Sequence, residues 1–350
     1  MKNQSGIISL SLPFAAGVAA AALTARPFEG AAASCLAVCI FFLISVSSGR
    51  TGRGPLLMLY FCLGFMCWCT RALNPVLPRP PSPAIGALAG RIENAGFPGE
   101  HSAAIIKALL TGQRNSLERS TIAAFRKSGA AHILALSGLH LGVLYIVIRS
   151  FMRPIGNSRF ARALGSVLTV AACGLYAHAT GASPSIVRAL LFIIVNELGR
   201  QCPDRRPSPL GTFCTALTLQ LAFRPDYINS VGFQLSYLAM LGITLVLPWL
   251  DKWYPESRYP SPTRYIWKCA ALAISCQIFT APVAWIHFRT FPKYFLITNL
   301  IAMPLTELVI AGSVLSLLLD AAGLCPQFLI TACGRMVELL EYCLETIASI

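Results

Sequence analysis

The sequence has 350 residues, of which 55% are hydrophobic and only 12% are charged, and its formal net charge is +14 at pH 7. A soluble domain carries about a quarter charged residues, so this composition leaves too little polar surface to cover a water-soluble globule. The mean hydropathy of +0.65 agrees. Composition therefore predicts an integral membrane protein.

Continuous apolar runs recur along the chain, and several reach the roughly 18 residues that a helix needs to cross a bilayer. The long runs cover residues 7–24, 31–48, 130–148, 163–182, 231–250, 269–288 and 296–319, and shorter ones cover 55–70, 184–198 and 210–223. Transmembrane β-strands would alternate apolar and polar residues over about ten positions, whereas these runs are unbroken. We therefore predict an all-α polytopic membrane protein with about 10–11 transmembrane helices and interfacial amphipathic helices.

The runs and their connections divide the chain into four predicted segments. Residues 1–73 hold the N-terminal transmembrane helices, and residues 74–128 form a Pro-rich extracytoplasmic connection followed by short interfacial helices. Residues 129–327 form the main transmembrane domain. Residues 328–350 form an amphipathic helix with glutamates on one face, which either lies on the membrane surface or faces a wet bundle interior.

The distribution of lysine and arginine predicts a cytoplasmic N-terminus. Fourteen of the 28 basic residues then fall in cytoplasmic segments, against four in the short outside connections. The connection after the third span is also basic and would lie outside. It is the strongest objection to this orientation, although long segments weigh less in the rule.

Polar residues in the apolar runs form four clusters, and such residues usually face a bundle interior or water. The candidates for a channel or polar core are His132, Ser137, Gly138, His140, Arg188, Gln234, Ser236, Asn299 and Glu307. We predict that six of them converge on one wet cavity, namely His132, Ser137, His140, Arg188, Gln234 and Asn299. The alternatives are hydrogen bonds between packed helices and, for Arg188, snorkelling from near a helix end.

Five stretches in these regions follow one another in a distinctive order. They are KALLTGQRNSL (107–117), FRKSGAAHILALSGLHLG (125–142), GASPSIVRA (181–189), GFQLSYLAMLGI (232–243) and FPKYFLITNLIAMPL (291–305). This part of the chain resembles the membrane-embedded competence domain of the ComEC family, which is proposed to form the DNA-uptake channel of naturally transformable bacteria.

The resemblance implies a multi-pass protein of the bacterial cytoplasmic (inner) membrane that passes single-stranded DNA. It implies as partners DNA, membrane lipid, a separate nuclease, a DNA receptor and a helicase, and it leaves homo-oligomers open. For first contact with DNA we expect the basic residues of the outside segment, Arg71, Arg79, Arg91, Arg114 and Arg119.

Full-length family members usually add an oligonucleotide-binding-like domain and a metallo-β-lactamase-like domain, and neither is legible in this sequence. The five histidines do not form a metal centre by spacing, and no complete catalytic triad can be identified. We therefore expect no enzymatic activity, no catalytic residues, no metal and no cofactor. Two alternatives to a DNA channel remain, a small-molecule or ion transporter and a partner-binding membrane protein on the same scaffold.

Overall fold

The computed structural model describes residues 2–24, 27–48, 53–74, 82–134, 137–152, 158–201, 208–254, 262–289 and 293–349. Within these ranges every regular element is a helix and no strand occurs. The all-α prediction is therefore confirmed.

The helices follow one another with short connections. They are α1 (Lys2–Ala22), α2 (Pro27–Ser48), α3 (Arg53–Leu73), α4 (Pro83–Asn94), α5 (Glu100–Thr111), α6 (Arg119–Lys127), α7 (Gly138–Met152), α8 (Arg159–Ala179), α9 (Pro184–Gln201), α10 (Pro209–Phe223), α11 (Val231–Leu245), α12 (Leu247–Asp251), α13 (Pro262–Phe288), α14 (Phe295–Ala321) and α15 (Gln327–Ser349). Short 3-10 helices cover Ala130–His132 and Pro225–Asn229.

Five helices in the described ranges are long and apolar enough to cross a membrane, and the chain is a multi-pass membrane protein. They are α3, α8, α11 continued by α12, α13 and α14. Shorter apolar helices are Gly6–Ala22, Pro27–Ile40, His101–Thr111, Gly138–Met152 and Pro209–Phe223. The total of about 10–11 transmembrane helices stays a prediction, since five described helices have the length and composition needed to cross a membrane.

The described chain forms two compact units that do not follow the linear order of the sequence. The first comprises Met1–Arg79 with Ile194–Met240, and the second comprises Pro80–Ile193 with Leu241–Ile350. The four segments expected from the sequence, 1–73, 74–128, 129–327 and 328–350, remain a prediction.

In the first unit, α1 and α3 touch backbone to backbone through two glycines. A Cβ added at Gly17 would overlap the carbonyl oxygen of Phe61, and one added at Gly64 would overlap that of Phe14. Small residues at such crossings let membrane helices approach closely and gain dispersion contacts. The reciprocal arrangement clamps α1 against α3.

The second unit is built around a core to which α4 to α7, α14 and α15 contribute. Helix α15 inserts Val337, Leu340 and Leu344, each no more than 1% exposed. On its polar side, the Thr121 hydroxyl of α6 donates to Glu341 at 2.9 Å. The amphipathic C-terminal helix expected from the sequence is present, and its apolar face packs against protein.

Replacing Gly64 by alanine should destabilise the first unit, because a methyl group there meets the backbone of α1. Overpacking of this kind costs about 1–3 kcal/mol, and we expect a lower thermal midpoint for the protein in detergent. Gly54 lies near the start of the same helix with open space around it, so Gly54→Ala is the matched control. Equal midpoints for the two variants would contradict the clamp.

Candidate functional site

The start of α7 is held by a contact between Ser137 and His140. The backbone N–H of Ser137 donates to Nδ1 of His140 at 3.1 Å, and the Ser137 hydroxyl lies 2.8 Å from the same nitrogen. This is the geometry of a capping box, in which the third helical residue reaches back to the N-cap N–H, with histidine in the usual place of glutamate or glutamine. The spacing of three residues between Ser137 and His140 thus allows the contact that caps the first turn of α7.

The same contact determines the tautomer of His140. A backbone N–H can only donate, so Nδ1 must accept and the ring proton lies on Nε2. The His140 residue is 2% exposed, and its Nε2 has no hydrogen-bond partner within the described part of the chain. Leaving a buried donor unpaired costs about 1–3 kcal/mol, so this edge of the ring suits contact with water or a polar ligand.

Arg188 lies against the start of α7. A Cβ added at Gly138 would come within 2.9 Å of Arg188 Nη2 and 3.1 Å of the Ala189 Cβ. Gly138 therefore leaves the space that the guanidinium occupies, and Arg188 is half-buried between helices. Cys276 of α13 is within electrostatic range of the same guanidinium.

The turn before α9 brings Arg188 to this place. Gly181 and Ala182 have φ values of 79° and 51°, so the chain reverses there before α9 begins at Pro184, whose fixed φ suits the first helical turn. Ser183 Oγ, next to the turn, is buried without a hydrogen-bond partner among the described residues. The Gly-Ala-Ser-Pro stretch is therefore a turn, as its composition predicts.

Four of the predicted residues lie together at the start of α7 in the second unit. They are Ser137, Gly138, His140 and Arg188. His132 instead is exposed, and its Nδ1 lies 3.1 Å from the Gly129 carbonyl oxygen. The convergence of six side chains on one cavity stays a prediction.

The remaining polar candidates lie elsewhere on the helices. Asn299 of α14 has a buried Oδ1 that lacks a partner in the described structure, whereas Glu307, two turns later, is exposed. In the first unit Gln234 donates to the Ile228 carbonyl at 2.8 Å, so it stabilises the 3-10 helix before α11. Ser236 is half-buried in α11.

The five arginines expected to contact DNA differ in their surroundings. Arg91, Arg114 and Arg119 are exposed. Arg114 donates through Nε to the Leu134 carbonyl at 3.1 Å, and Arg71 pairs with Asp226 at 3.2 Å with 14% of its side chain exposed. Arg79 lies outside the described residues.

Asp226 is a polar centre that the sequence reading missed, although its place beside Arg224 and Pro225 was a usable signal. Arg224 binds both oxygens of its carboxylate, the nearer at 2.8 Å, and Arg71 binds one. Burial raises the pKa of the Asp226 carboxyl, but the hydrogen bonds and charges of Arg224 and Arg71 outweigh it and place the pKa below its usual range.

Carboxylates line a cavity of about 260 Å³ on the second unit. Its wall is shared by α5, α6 and α15, and the lining residues are His101, Glu118, Ser120, Thr121, Glu338, Glu341, Tyr342 and Glu345. No group of three or more His, Cys, Asp or Glu residues in the described ranges could hold a metal ion.

Glutamine at position 140 should keep the cap, because a Gln side chain at this position can accept from the Ser137 N–H. We expect His140→Gln to lie close to the parent protein in thermal midpoint, and His140→Ala to be less stable by about 1 kcal/mol. His132→Gln is the control on an exposed histidine. If the Gln and Ala variants of His140 lose equal stability, the cap does not operate.

Acid should remove the stabilisation supplied by Asp226. Because the folded-state pKa is lowered, that stabilisation is complete above the ordinary carboxyl pKa of about 3.9 and is lost as pH falls through the lower folded-state value. We expect Asp226→Asn to be less stable at neutral pH and to show a smaller loss of stability below about pH 4. Asp320→Asn, at an exposed carboxylate, is the matched control for the loss of one negative charge, and an equal change in the two variants would contradict the role of Asp226.

Comparison with known proteins places these elements in a family. The chain is 28% identical over 219 residues to ComE operon protein 3 of Bacillus subtilis, which covers 62% of this chain and 26% of that protein. It is 22% identical over 217 residues to the uncharacterized protein YcaI of Escherichia coli, covering 61% of this chain and 28% of that protein. It is 25% identical over 223 residues to recombination protein 2 of Haemophilus influenzae, covering 60% of this chain and 28% of that protein.

The chain thus spans between a quarter and a third of the length of these relatives. No solved structure matches it. The family model described as Competence protein matches residues 109–350, which include the cap at Ser137, the Gly138 contact and Arg188. The chain is therefore a member of the Competence protein family.

Proposed function

We propose that this chain is a DNA-translocation channel subunit of a bacterial cytoplasmic membrane, and that its substrate is single-stranded DNA. The observation that carries the proposal is the match to the Competence protein family over residues 109–350. Competence is the capacity to take up DNA, and a channel for a polyanion needs polar groups inside an otherwise apolar helical bundle. Arg188, set against α7, supplies a cation at such a place.

Electrostatics support a polyanionic substrate. The net charge of +14 attracts phosphates at long range, and phosphate contacts supply most sequence-independent affinity for nucleic acid. Arg91 and Arg119 are the strongest candidates for first contact, because both are exposed, whereas the exposed Arg114 already donates to the Leu134 carbonyl. Arg71 is the weakest, because only 14% of its side chain is exposed and it is already paired with Asp226.

The match to the Competence protein family also suggests partners. We infer that a nuclease, a DNA receptor and a helicase act together with this chain in DNA uptake. We further propose that the chain itself has no hydrolytic activity, because its sequence shows neither metal-ligand spacing nor a complete catalytic triad. Assembly into a homo-oligomer is a further part of the proposal.

A transporter of a small polar solute is the second candidate. It is favoured by the buried polar atoms without described partners, His140 Nε2 and Asn299 Oδ1, because a few fixed hydrogen-bonding groups are typical of a substrate-sized site. Deletion of such a protein would leave DNA uptake intact, and the purified protein would pass the solute through vesicles, so uptake and flux together separate the two functions.

The test is titration of the full chain in nanodiscs with single-stranded DNA at several salt concentrations. Removing two phosphate contacts with Arg91→Gln and Arg119→Gln should lower affinity and reduce the slope of log K against log salt by about 1.4. Arg200 and Arg335 are exposed arginines already paired with Glu197 and Glu338, so a double Gln variant of these two is the matched control.

Arg188→Gln should leave this titration nearly unchanged and reduce DNA uptake by cells, because Arg188 is half-buried between helices. The channel proposal fails if the parent protein binds DNA without salt dependence and its deletion leaves uptake intact while the partners are present. Intact uptake after deletion together with solute flux through vesicles would instead favour the transporter.

A further inference from the structure

Two tryptophans in the second unit project from the protein at one corner. Trp249 and Trp253 are one helical turn apart at α12, their ring centroids are 4.6 Å apart, and the residues are 57% and 59% exposed. Tryptophan is enriched where a membrane protein meets the lipid headgroups, because its ring is apolar and its N–H is polar. We define the α12–α13 corner as residues 247–254 and 262–268.

The corner is held in a fixed shape by two hydrogen bonds. Trp267 donates through Nε1 to the Leu250 carbonyl at 3.1 Å, and the hydroxyls of Tyr254 and Thr263 are 2.6 Å apart. Both bonds join the end of α12 to the start of α13. The exposed tryptophan pair is therefore presented on a rigid support.

The length of α13 sets the depth of this corner. Tyr265 at one end is 58% exposed and Trp285 near the other is 52% exposed. Twenty residues at 1.5 Å per residue separate them by about 30 Å, which equals the hydrocarbon thickness of a bilayer. No Asp, Glu, Lys or Arg occurs between Lys268 and Arg289. With Trp285 at one interface, the α12–α13 corner reaches the headgroups of the other leaflet.

Charge at the corner selects the kind of headgroup. Lys252 and Lys268 are exposed and Arg264 is half-buried. They outnumber the carboxylates of Asp251 and of Glu307, which lies on α14 within electrostatic range of Tyr265. Lys252 follows Leu250 closely in the sequence, and Lys268 follows Trp267 directly. The hydrogen bond from Trp267 to Leu250 therefore brings the chain segments that carry the two lysines together. Each basic residue at a membrane surface gains about 1 kcal/mol from anionic lipid.

We propose that the α12–α13 corner is a binding surface for anionic phospholipid headgroups. Trp249 and Trp253 enter the boundary between headgroups and acyl chains, and Lys252 and Lys268 pair with lipid phosphates. This surface is separate from the site around Arg188, and it would hold α13 at a fixed depth whichever solute the protein transports.

The experiment uses the full chain with Trp68 and Trp285 replaced by phenylalanine, so that fluorescence reports the tryptophans of the corner. Nanodiscs contain phosphatidylcholine and phosphatidylglycerol mixed, with bromine on the acyl chains of one lipid or the other. We expect brominated phosphatidylglycerol to quench about twofold more strongly than brominated phosphatidylcholine. Lys252→Gln with Lys268→Gln should abolish that preference while quenching by both lipids persists.

Matched controls separate the corner from general membrane contact. A chain with Trp285 alone should be quenched by both lipids, and its ratio should not change when Lys252 and Lys268 are replaced. Inorganic phosphate at constant ionic strength should leave the preference of the corner unchanged. The proposal is overturned if the two brominated lipids quench equally, if aqueous acrylamide quenches the corner more than either lipid, or if free phosphate removes the preference.

Discussion

The close approach of α7 to α9 at Gly138 is the contact on which the candidate site depends. A side chain at this position would take the space of the Arg188 guanidinium, and a guanidinium in a membrane domain needs a defined place among partners or water. The Ser137–His140 cap begins α7 at the same point, so the helix start and the cation are positioned together.

The cap also explains why an imidazole is buried here. Nδ1 of His140 is committed to the N-terminus of α7, and the opposite edge of the ring therefore presents a fixed N–H in the interior. A glutamine could perform the capping and would not present the same donor. The structural role of His140 and its proposed role in transport thus belong to different atoms of one side chain.

The second unit relies on a helix whose stripe of glutamates left two positions open, the membrane surface and a wet bundle interior. Helix α15 carries several glutamates, and a surface position was one reading of that stripe. Its other face fills the core with Val337, Leu340 and Leu344, so the apolar surface that could have lain in the headgroup region is covered by protein. Burial of that face stabilises the unit, while Glu341 receives a hydrogen bond from α6.

Composition and local pattern were sufficient for several features, because they depend on neighbours in the chain. The all-α membrane fold follows from unbroken apolar runs, the turn at Gly181 and the start of α9 at Pro184 follow from backbone preferences, and the family motifs are themselves sequence. Tertiary structure alone decided the rest. Contacts between separate helices decide which face of α14 is buried. They also decide that Arg71 pairs with the distant Asp226 and that Arg188 lies against Gly138. In lipid the apolar sides of a helix have nearly equal hydropathy, so the pattern that identifies a span does not specify its neighbours.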